Sequence, residues 1–270
     1  MTPFPLTWLY VPGDRPQVVT KALAAGADVV VIDLEDAVAP DRKEYARAAT
    51  AERLGEPQPV PVHVRVNALD GPWASADLTA LAAPAGASGL RLPKVTSADE
   101  IRRVAAVTPL PLYALLESAL GIEHAYAIAT AHPSLRGVSL GEADLRADLG
   151  VRADAGLDWP RSRVVVAARA AGLAPPPQSV HPDIRDLEGL ASSCAHGRAL
   201  GFLGRAAIHP RQLPVIQQAY LPTPAEIEEA ETIIKAAAAN EGAQALPDGR
   251  FVDAAVVATA RRTLSQARRE

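Results

Sequence analysis

The chain alternates between two kinds of segment. Short runs rich in apolar and β-branched residues recur, and each is followed by a stretch with helical spacing. Candidate strands fall at 6–11, 28–33, 60–66, 89–92, 110–116, 137–140, 178–181 and 202–209. Eight is the count that closes a parallel (β/α)₈ TIM barrel, and roughly 250 residues is typical of that fold. Val29-Val30-Val31-Ile32 is apolar at consecutive positions, which suits a strand covered on both faces.

The intervening stretches carry helix punctuation. Segments 16–25, 41–54, 159–171 and 186–200 stop at Gly26, Gly55, Gly172 and Gly201. Ser97 with Glu100 forms a capping box that opens 98–107, and 118–131 follows Glu117 and stops before Pro133. One domain is expected for 1–220. From 221 to 270 the pattern changes: Thr223-Pro-Ala-Glu starts a helix expected to reach Asn240, then a loop at 242–249, Arg250-Phe-Val-Asp, and a last helix to about residue 269. This extension exceeds what a barrel needs. It is expected to cover the barrel's own end or to reach a neighbouring subunit.

An apolar fraction of 49% argues for a folded chain with a sizeable core. A net charge of −4, without a basic block or an aromatic-rich basic stripe, gives no reason to expect nucleic acid as a partner. No apolar run approaches the roughly 20 residues that span a bilayer, and Met-Thr-Pro-Phe-Pro lacks the features of a signal peptide. Cys194 is alone, so no internal disulfide forms and a reducing cytoplasm is the expected compartment.

In a barrel the chemistry gathers at the C-terminal ends of the strands. Those ends carry Asp14-Arg15, Asp33-Leu34-Glu35-Asp36, Arg65-Val66-Asn67, Pro93-Lys94, Glu117, Glu142-Ala143-Asp144, His181 and His209. The opposite ends carry Ala-Gly-Ala, Pro-Gln-Pro and Thr-Pro-Leu. Glu117 and Asp144 stand out because each lies just past an apolar run, where an unpaired acid is costly. Two such acids commonly share a cation, and oxygen-only ligation suggests a hard one such as Mg²⁺. The competing reading is a helix-start acid satisfied by backbone N–H groups. No Cys or His partners lie at zinc spacing, so His181 reads as a satisfied strand-end histidine. Glu35 and Asp36 are adjacent, so their side chains are expected to diverge.

These residues resemble a known family: the β-subunit of citrate lyase and its stand-alone relatives, within the HpcH/HpaI aldolase group. The resemblance rests on Tyr-Val-Pro-Gly-Asp-Arg-Pro (10–16), Val-Ile-Asp-Leu-Glu-Asp-Ala-Val (31–38), Val-Arg-Val-Asn (64–67), Leu-Pro-Lys-Val (92–95), Leu-Leu-Glu-Ser-Ala (115–119), Gly-Glu-Ala-Asp-Leu-Arg-Ala-Asp-Leu-Gly (141–150), Asp-Ile-Arg-Asp-Leu-Glu-Gly-Leu (183–190) and Ala-Ile-His-Pro-Arg-Gln (207–212). The family usually reads Gly-Ala-Glu-Asp where this chain has Gly-Glu-Ala-Asp, which leaves the role of Glu142 open.

The resemblance implies a lyase or condensing enzyme for β-hydroxyacyl-CoA thioesters such as citramalyl-CoA or malyl-CoA. The products would be acetyl-CoA and a 2-keto acid or glyoxylate. It implies Mg²⁺, with Mn²⁺ as a substitute, on Glu117 and Asp144. Arg65 would complement a developing oxyanion, the alternative being an Arg that only pairs with Glu35 or Asp36. Glu35 and Asp36 would orient Arg65 and metal-bound water. Tyr10, Arg15 and Lys21 match positions that contact CoA, although Lys21 also reads as a solvated helix face. Arg65, Glu117, Ala143 and His209 are expected to touch substrate. Asp253 matches an acid that a C-terminal lid brings to a neighbouring subunit's site, in a homotrimer or hexamer; read from its residues alone it is the N-cap of the last helix. Other readings are the β-subunit of a citrate lyase complex acting on an acyl-carrier thioester, an aldolase for free hydroxy-keto acids, and a non-catalytic scaffold or regulatory subunit.

Overall fold

A computed structural model describes residues 4–82, 84–239, 244–245 and 250–267. The expected helix end at Asn240, most of the expected loop 242–249 and the last residues of the final helix lie outside these. The chain divides into two compact units, Pro5–Ala219 and a second that comprises Tyr220–Glu270 with the first four residues.

The larger unit is built on one sheet of seven strands in the order β6-β5-β4-β3-β2-β1-β7. These are β1 Thr7–Pro12, β2 Val29–Asp33, β3 Val62–Arg65, β4 Gly89–Leu92, β5 Leu112–Leu116, β6 Leu135–Leu140 and β7 Arg205–Ala207, and every pairing is parallel. All of β2 is buried, as its unbroken apolar run requires. The helices of this unit are α1 Pro16–Leu23, α2 Lys43–Arg53, α3 Ala74–Ala80, α4 Ala98–Ala105, α5 Ala119–Glu123, α6 Ala125–Ala129, α7 Glu142–Leu149, α8 Asp158–Ala170, α9 Leu187–Leu200 and α10 Leu213–Tyr220. The Ser97–Glu100 box closes as expected, whereas the segment expected as one helix over 118–131 breaks at His124 into α5 and α6.

The expected strand at 178–181 is reduced to a single parallel bridge from Gln178 to Arg205. Pro175, Pro176 and Pro177 precede it and Pro182 follows, and proline has no N–H to extend a ladder. The segment nonetheless touches both free edges of the sheet. The Gln178 amide donates to the Gly204 carbonyl at 2.9 Å beside β7, and the Ser179 hydroxyl donates to the Leu140 carbonyl of β6 at 2.5 Å.

Alternation along the strands aims one set of side chains at a shared face. Tyr10 of β1, Asp33 of β2, His63 and Arg65 of β3, Arg91 of β4 and Tyr113 of β5 are in phase. His63 stacks on Tyr113 with ring centroids 4.3 Å apart, and burial holds its pKa well below the usual histidine value. The buried Arg91 lies 5.6–5.9 Å from the ring centres of Trp8, Tyr10 and Tyr113.

The smaller unit contains α11 Pro224–Ala239 and α12 Ala254–Ala267, with β8 Gln244–Ala245 antiparallel to β9 Phe251–Val252. Ala230, Ile233, Val252 and Ala260 form its core. Thr223 and Glu226 close the expected capping box, and Arg250 pairs with Glu229.

Candidate active site

Because the strands are parallel, their C-terminal ends share one side of the sheet. Asp33 and Arg65 end adjacent strands and are register partners. Their side chains meet as a bidentate pair, Nε to Oδ1 at 2.7 Å and Nη2 to Oδ2 at 2.6 Å. Asp33 also accepts the backbone N–H groups of Glu35 at 2.9 Å and Ala37 at 3.1 Å, so it fixes both the arginine and the turn beyond β2. Lys43 pins the same turn from outside, donating to the Leu34 and Glu35 carbonyls at 2.7 Å each.

Beyond β2 the chain leaves strand geometry, and period-2 alternation no longer applies. Glu35 and Asp36 therefore converge instead of diverging. Arg65 Nη1 lies 2.9 Å from Glu35 Oε2, poorly aligned for a hydrogen bond, and donates to Asp36 Oδ2 at 3.0 Å. Arg65 thus does pair with Glu35 and Asp36, and Asp33 is its strongest partner. The second N–H on Nη2 has no partner among the described residues. Lys94 donates to Glu35 Oε1 at 2.7 Å from a left-handed backbone, φ 55°, the single positive-φ position outside glycine among the described residues. Such a conformation costs on the order of 1–2 kcal/mol. Burial raises the Glu35 pKa in spite of Arg65 and Lys94.

Glu117, just past β5, has no such company. It is 4% exposed, and its Oε2 is buried without a hydrogen-bond partner. Burial first, then the Glu35 charge, pushes its pKa to about 8 against the lowering charges of Arg65 and Lys94, and Asp144 adds to the rise. The expected alternative, a helix-start acid satisfied by backbone N–H groups, is not met, because Ser118 makes the N-cap bond of α5 to Gly121 at 3.2 Å. The Glu117 carboxylate packs against Gly141. A Cβ there would sit 2.5 Å from Oε1, so only glycine allows this approach.

Gly141 leads into α7, and Asp144 stands in the first turn of that helix. Asp148 follows one turn later on the same face and accepts the Ala119 N–H at 2.7 Å, two residues beyond Glu117. The face that carries Asp144 is therefore turned toward the chain that carries Glu117. Glu117 has an unsatisfied buried oxygen and lies within reach of the Asp144 charge, and no histidine or cysteine groups with them among the described residues. That donor set fits a hard divalent cation, which keeps several waters and needs few protein ligands. Among the described residues no group of three or more His, Cys, Asp or Glu gathers around a possible ion.

Several expected residues have local roles. Glu142 is held bidentately by Arg161, Nε to Oε1 at 2.9 Å and Nη2 to Oε2 at 2.7 Å. Asn67 donates twice to the buried Asp77, at 2.6 and 2.9 Å, beside the site but not in it. His209 Nδ1 accepts the Arg211 N–H at 3.1 Å and so caps a 3₁₀ turn. His181 is not the satisfied histidine expected: its Nε2 is buried without a hydrogen bond, 3.6 Å from Asp186. Tyr10 faces Arg65, 5.5 Å from ring centre to guanidinium. Arg15 and Lys21 are exposed on or beside α1, and Ala143 is exposed on α7. Asp253 Oδ1 accepts from Ala255 and Val256 at 2.9 and 3.0 Å, the N-cap geometry of α12.

No sequence motif assigns a role to Asp33, Lys43, Lys94 or Arg161. The signal for Asp33 is its phase with Arg65 on neighbouring strands. Lys94 offers only its place at a strand end within Leu-Pro-Lys-Val, because a left-handed lysine has no sequence mark.

A family model described as HpcH/HpaI aldolase/citrate lyase matches residues 6–210. The chain is 40% identical to a (3S)-malyl-CoA thioesterase of Cereibacter sphaeroides, covering 96% of this chain and 93% of that protein. It is 37% identical to a citrate lyase subunit beta-like protein of Mycobacterium tuberculosis, covering 96% and 94%. The crystal structure of CitE from Mycobacterium tuberculosis in complex with magnesium, acetoacetate and coenzyme A superposes with a TM-score of 0.84 at 36% identity, covering 98% of each chain. With its parallel sheet, its strand-end acids and these similarities, the chain belongs to the HpcH/HpaI aldolase/citrate lyase family.

Proposed function

We propose that the chain is a Mg²⁺-dependent carbon–carbon lyase that cleaves, or in reverse forms, a β-hydroxyacyl-CoA thioester such as malyl-CoA or citramalyl-CoA. The observation that carries this reading is the buried, unpartnered Oε2 of Glu117 beside the Asp144 face of α7. Glu117 and Asp144 would hold the ion, which when bound supplies Lewis-acid polarisation of a substrate oxygen and fixes its orientation. Mn²⁺ would serve in its place.

Cleavage breaks the bond between the α-carbon and the hydroxyl-bearing carbon. The hydroxyl gives up its proton, the α-carbon gains one, and acetyl-CoA leaves with a 2-oxo acid. Arg65, held by Asp33, Glu35 and Asp36, would direct its remaining N–H to the oxygen that gathers charge. Asp253 would handle the proton at the α-carbon in a neighbouring copy's site, within a homo-oligomer whose C-terminal units act as lids. Tyr10, Arg15 and Lys21 would meet the CoA arm. On this reading residues 178–179 take the eighth place of a closed barrel, and the enzyme works in the cytoplasm. No helix among the described residues is long and apolar enough to cross a membrane.

A second reading, hydrolysis of the thioester, is favoured by the 40% identity to a malyl-CoA thioesterase. Incubation with malyl-CoA and citramalyl-CoA, with Mg²⁺ or EDTA, separates the two. The lyase yields acetyl-CoA and glyoxylate or pyruvate in equal amounts, no free thiol, and nothing under EDTA. Free thiol without oxo acid makes it a hydrolase, and turnover indifferent to EDTA removes the metal. Cleavage of free CoA esters by the chain alone sets aside a citrate lyase complex on an acyl carrier. Turnover of free hydroxy-keto acids without CoA would indicate an aldolase.

A further inference from the structure

The helix that carries Asp144 is held in rotation from its far side. Glu142 and Arg146 are one turn apart on α7 and share a face, whereas Asp144 lies about 200° around the helix from Glu142. Both flanking residues are tied to the segment that opens α8. Glu142 forms its bidentate pair with Arg161, and Arg146 Nη2 donates to Asp154 Oδ1 at 3.0 Å. Arg161 is 3% exposed and also donates to Asp154 Oδ2 at 2.7 Å and Asp158 Oδ1 at 3.2 Å. Asp158 is fixed in turn by His196 Nε2 at 2.8 Å. The backbone is clamped as well: the Glu142 N–H donates to Ser179 Oγ at 3.1 Å, and that hydroxyl donates to the Leu140 carbonyl.

A helix anchored at Glu142 and Arg146 cannot turn about its axis without breaking those bonds. Its opposite face, with Asp144 and Asp148, is therefore held as a fixed surface against the chain at Ala119, two residues beyond Glu117. We propose that Arg161, acting through Glu142, is a positioning residue that sets the orientation of Asp144 and so tunes metal affinity. This inference rests on the magnesium site proposed above and extends it to residues that touch neither ion nor substrate. It also gives the order Gly-Glu-Ala-Asp a physical sense. An acid two residues before Asp144 points away from the ion and toward Arg161. Outer partners of metal ligands commonly contribute about 10- to 100-fold to metal affinity.

The test uses Mn²⁺ as the probe, its binding to the metal-free full-length enzyme read from the loss of the free-ion EPR signal. Glu117→Gln is the reference for a destroyed site. Arg161→Met and Glu142→Gln are expected to weaken Mn²⁺ binding by about 10-fold or more, with kcat at saturating metal close to wild type. Arg161→Lys, which keeps the charge and one of the two hydrogen bonds, is expected to fall between. Glu142→Gln leaves Arg161 its aspartate partners and decides the question alone if Arg161→Met does not fold. Unchanged Mn²⁺ affinity in Glu142→Gln, or a fall in kcat with affinity intact, overturns the proposal while leaving the metal site standing. Wild-type binding no different from Glu117→Gln shows instead that the metal site itself is wrong, and this inference falls with it.

Discussion

The two halves of the acidic cluster differ in how their charge is met. At the ends of β2 and β3, Asp33 accepts four hydrogen bonds, two of them from Arg65, and the guanidinium binds Asp36 as well. At the end of β5, Glu117 is also buried but has an oxygen with no hydrogen-bond partner among the described residues. In the first half each acid faces a cation, although Glu35 Oε2 makes no hydrogen bond and one Arg65 N–H stays free among the described residues. The second feels the charges of Arg65 and Lys94 but is paired with neither among the described residues, and that deficit marks where a cation would belong. Glu35 couples the halves, bonded to Lys94 on one side and raising the Glu117 pKa on the other.

Removing the cation from the paired half should have a large effect on stability. Arg65→Met leaves Asp33 buried without its bidentate partner. Breaking a buried pair this way typically costs about 3–5 kcal/mol. Urea denaturation of the metal-free protein should show a loss of that order. A loss below about 1 kcal/mol, the worth of an exposed pair, would mean that the Asp33–Arg65 pair is not the structural half of the site.

The opposite half should respond in the opposite sense. Glu117→Gln removes an uncompensated acid, so the metal-free protein at pH 8 should be no less stable than wild type. Metal binding, by calorimetry, should fall by more than about 100-fold, the upper end of what even an outer partner contributes. Lower stability together with retained metal binding would erase the contrast between the halves.

Much of this contrast is legible in the order of the amino acids. The βα alternation locates all seven strands, because each buried strand needs an apolar run whatever surrounds it. The strand-end acids follow from parallel topology. What escapes has physical causes. The prolines on either side of Gln178 and Ser179 reduce an expected strand to a bridge, although the β-branched and polar residues there read as a strand end. Glu35 and Asp36 converge because a turn, not a strand, carries them, and that turn is set by Asp33 and Lys43 from distant places in the sequence. Glu142 cannot be interpreted from its own motif, since its partner Arg161 lies 19 residues away on another helix.

The pH dependence is the most selective test of the contrast. With its pKa near 8, Glu117 holds a proton through most of the neutral range when no metal is bound, and a metal ion must displace it. Apparent Mg²⁺ affinity should therefore drop about tenfold per pH unit below 8 and level off above it, because a ligand must be deprotonated to bind. The same shift acts on folding with a definite sign. The folded-state value lies above the ordinary glutamate value of 4.5, so between 4.5 and about 8 the folded chain holds a proton that the unfolded chain has released. Stability then falls as pH rises through that window. Glu117→Gln cannot titrate, so the difference in stability between wild type and this variant should widen from pH 5 to pH 8 in the variant's favour. Saturating Mg²⁺ should abolish the decline in wild type alone. A pH-independent difference, or one that widens toward acid, would place the cation deficit somewhere other than Glu117.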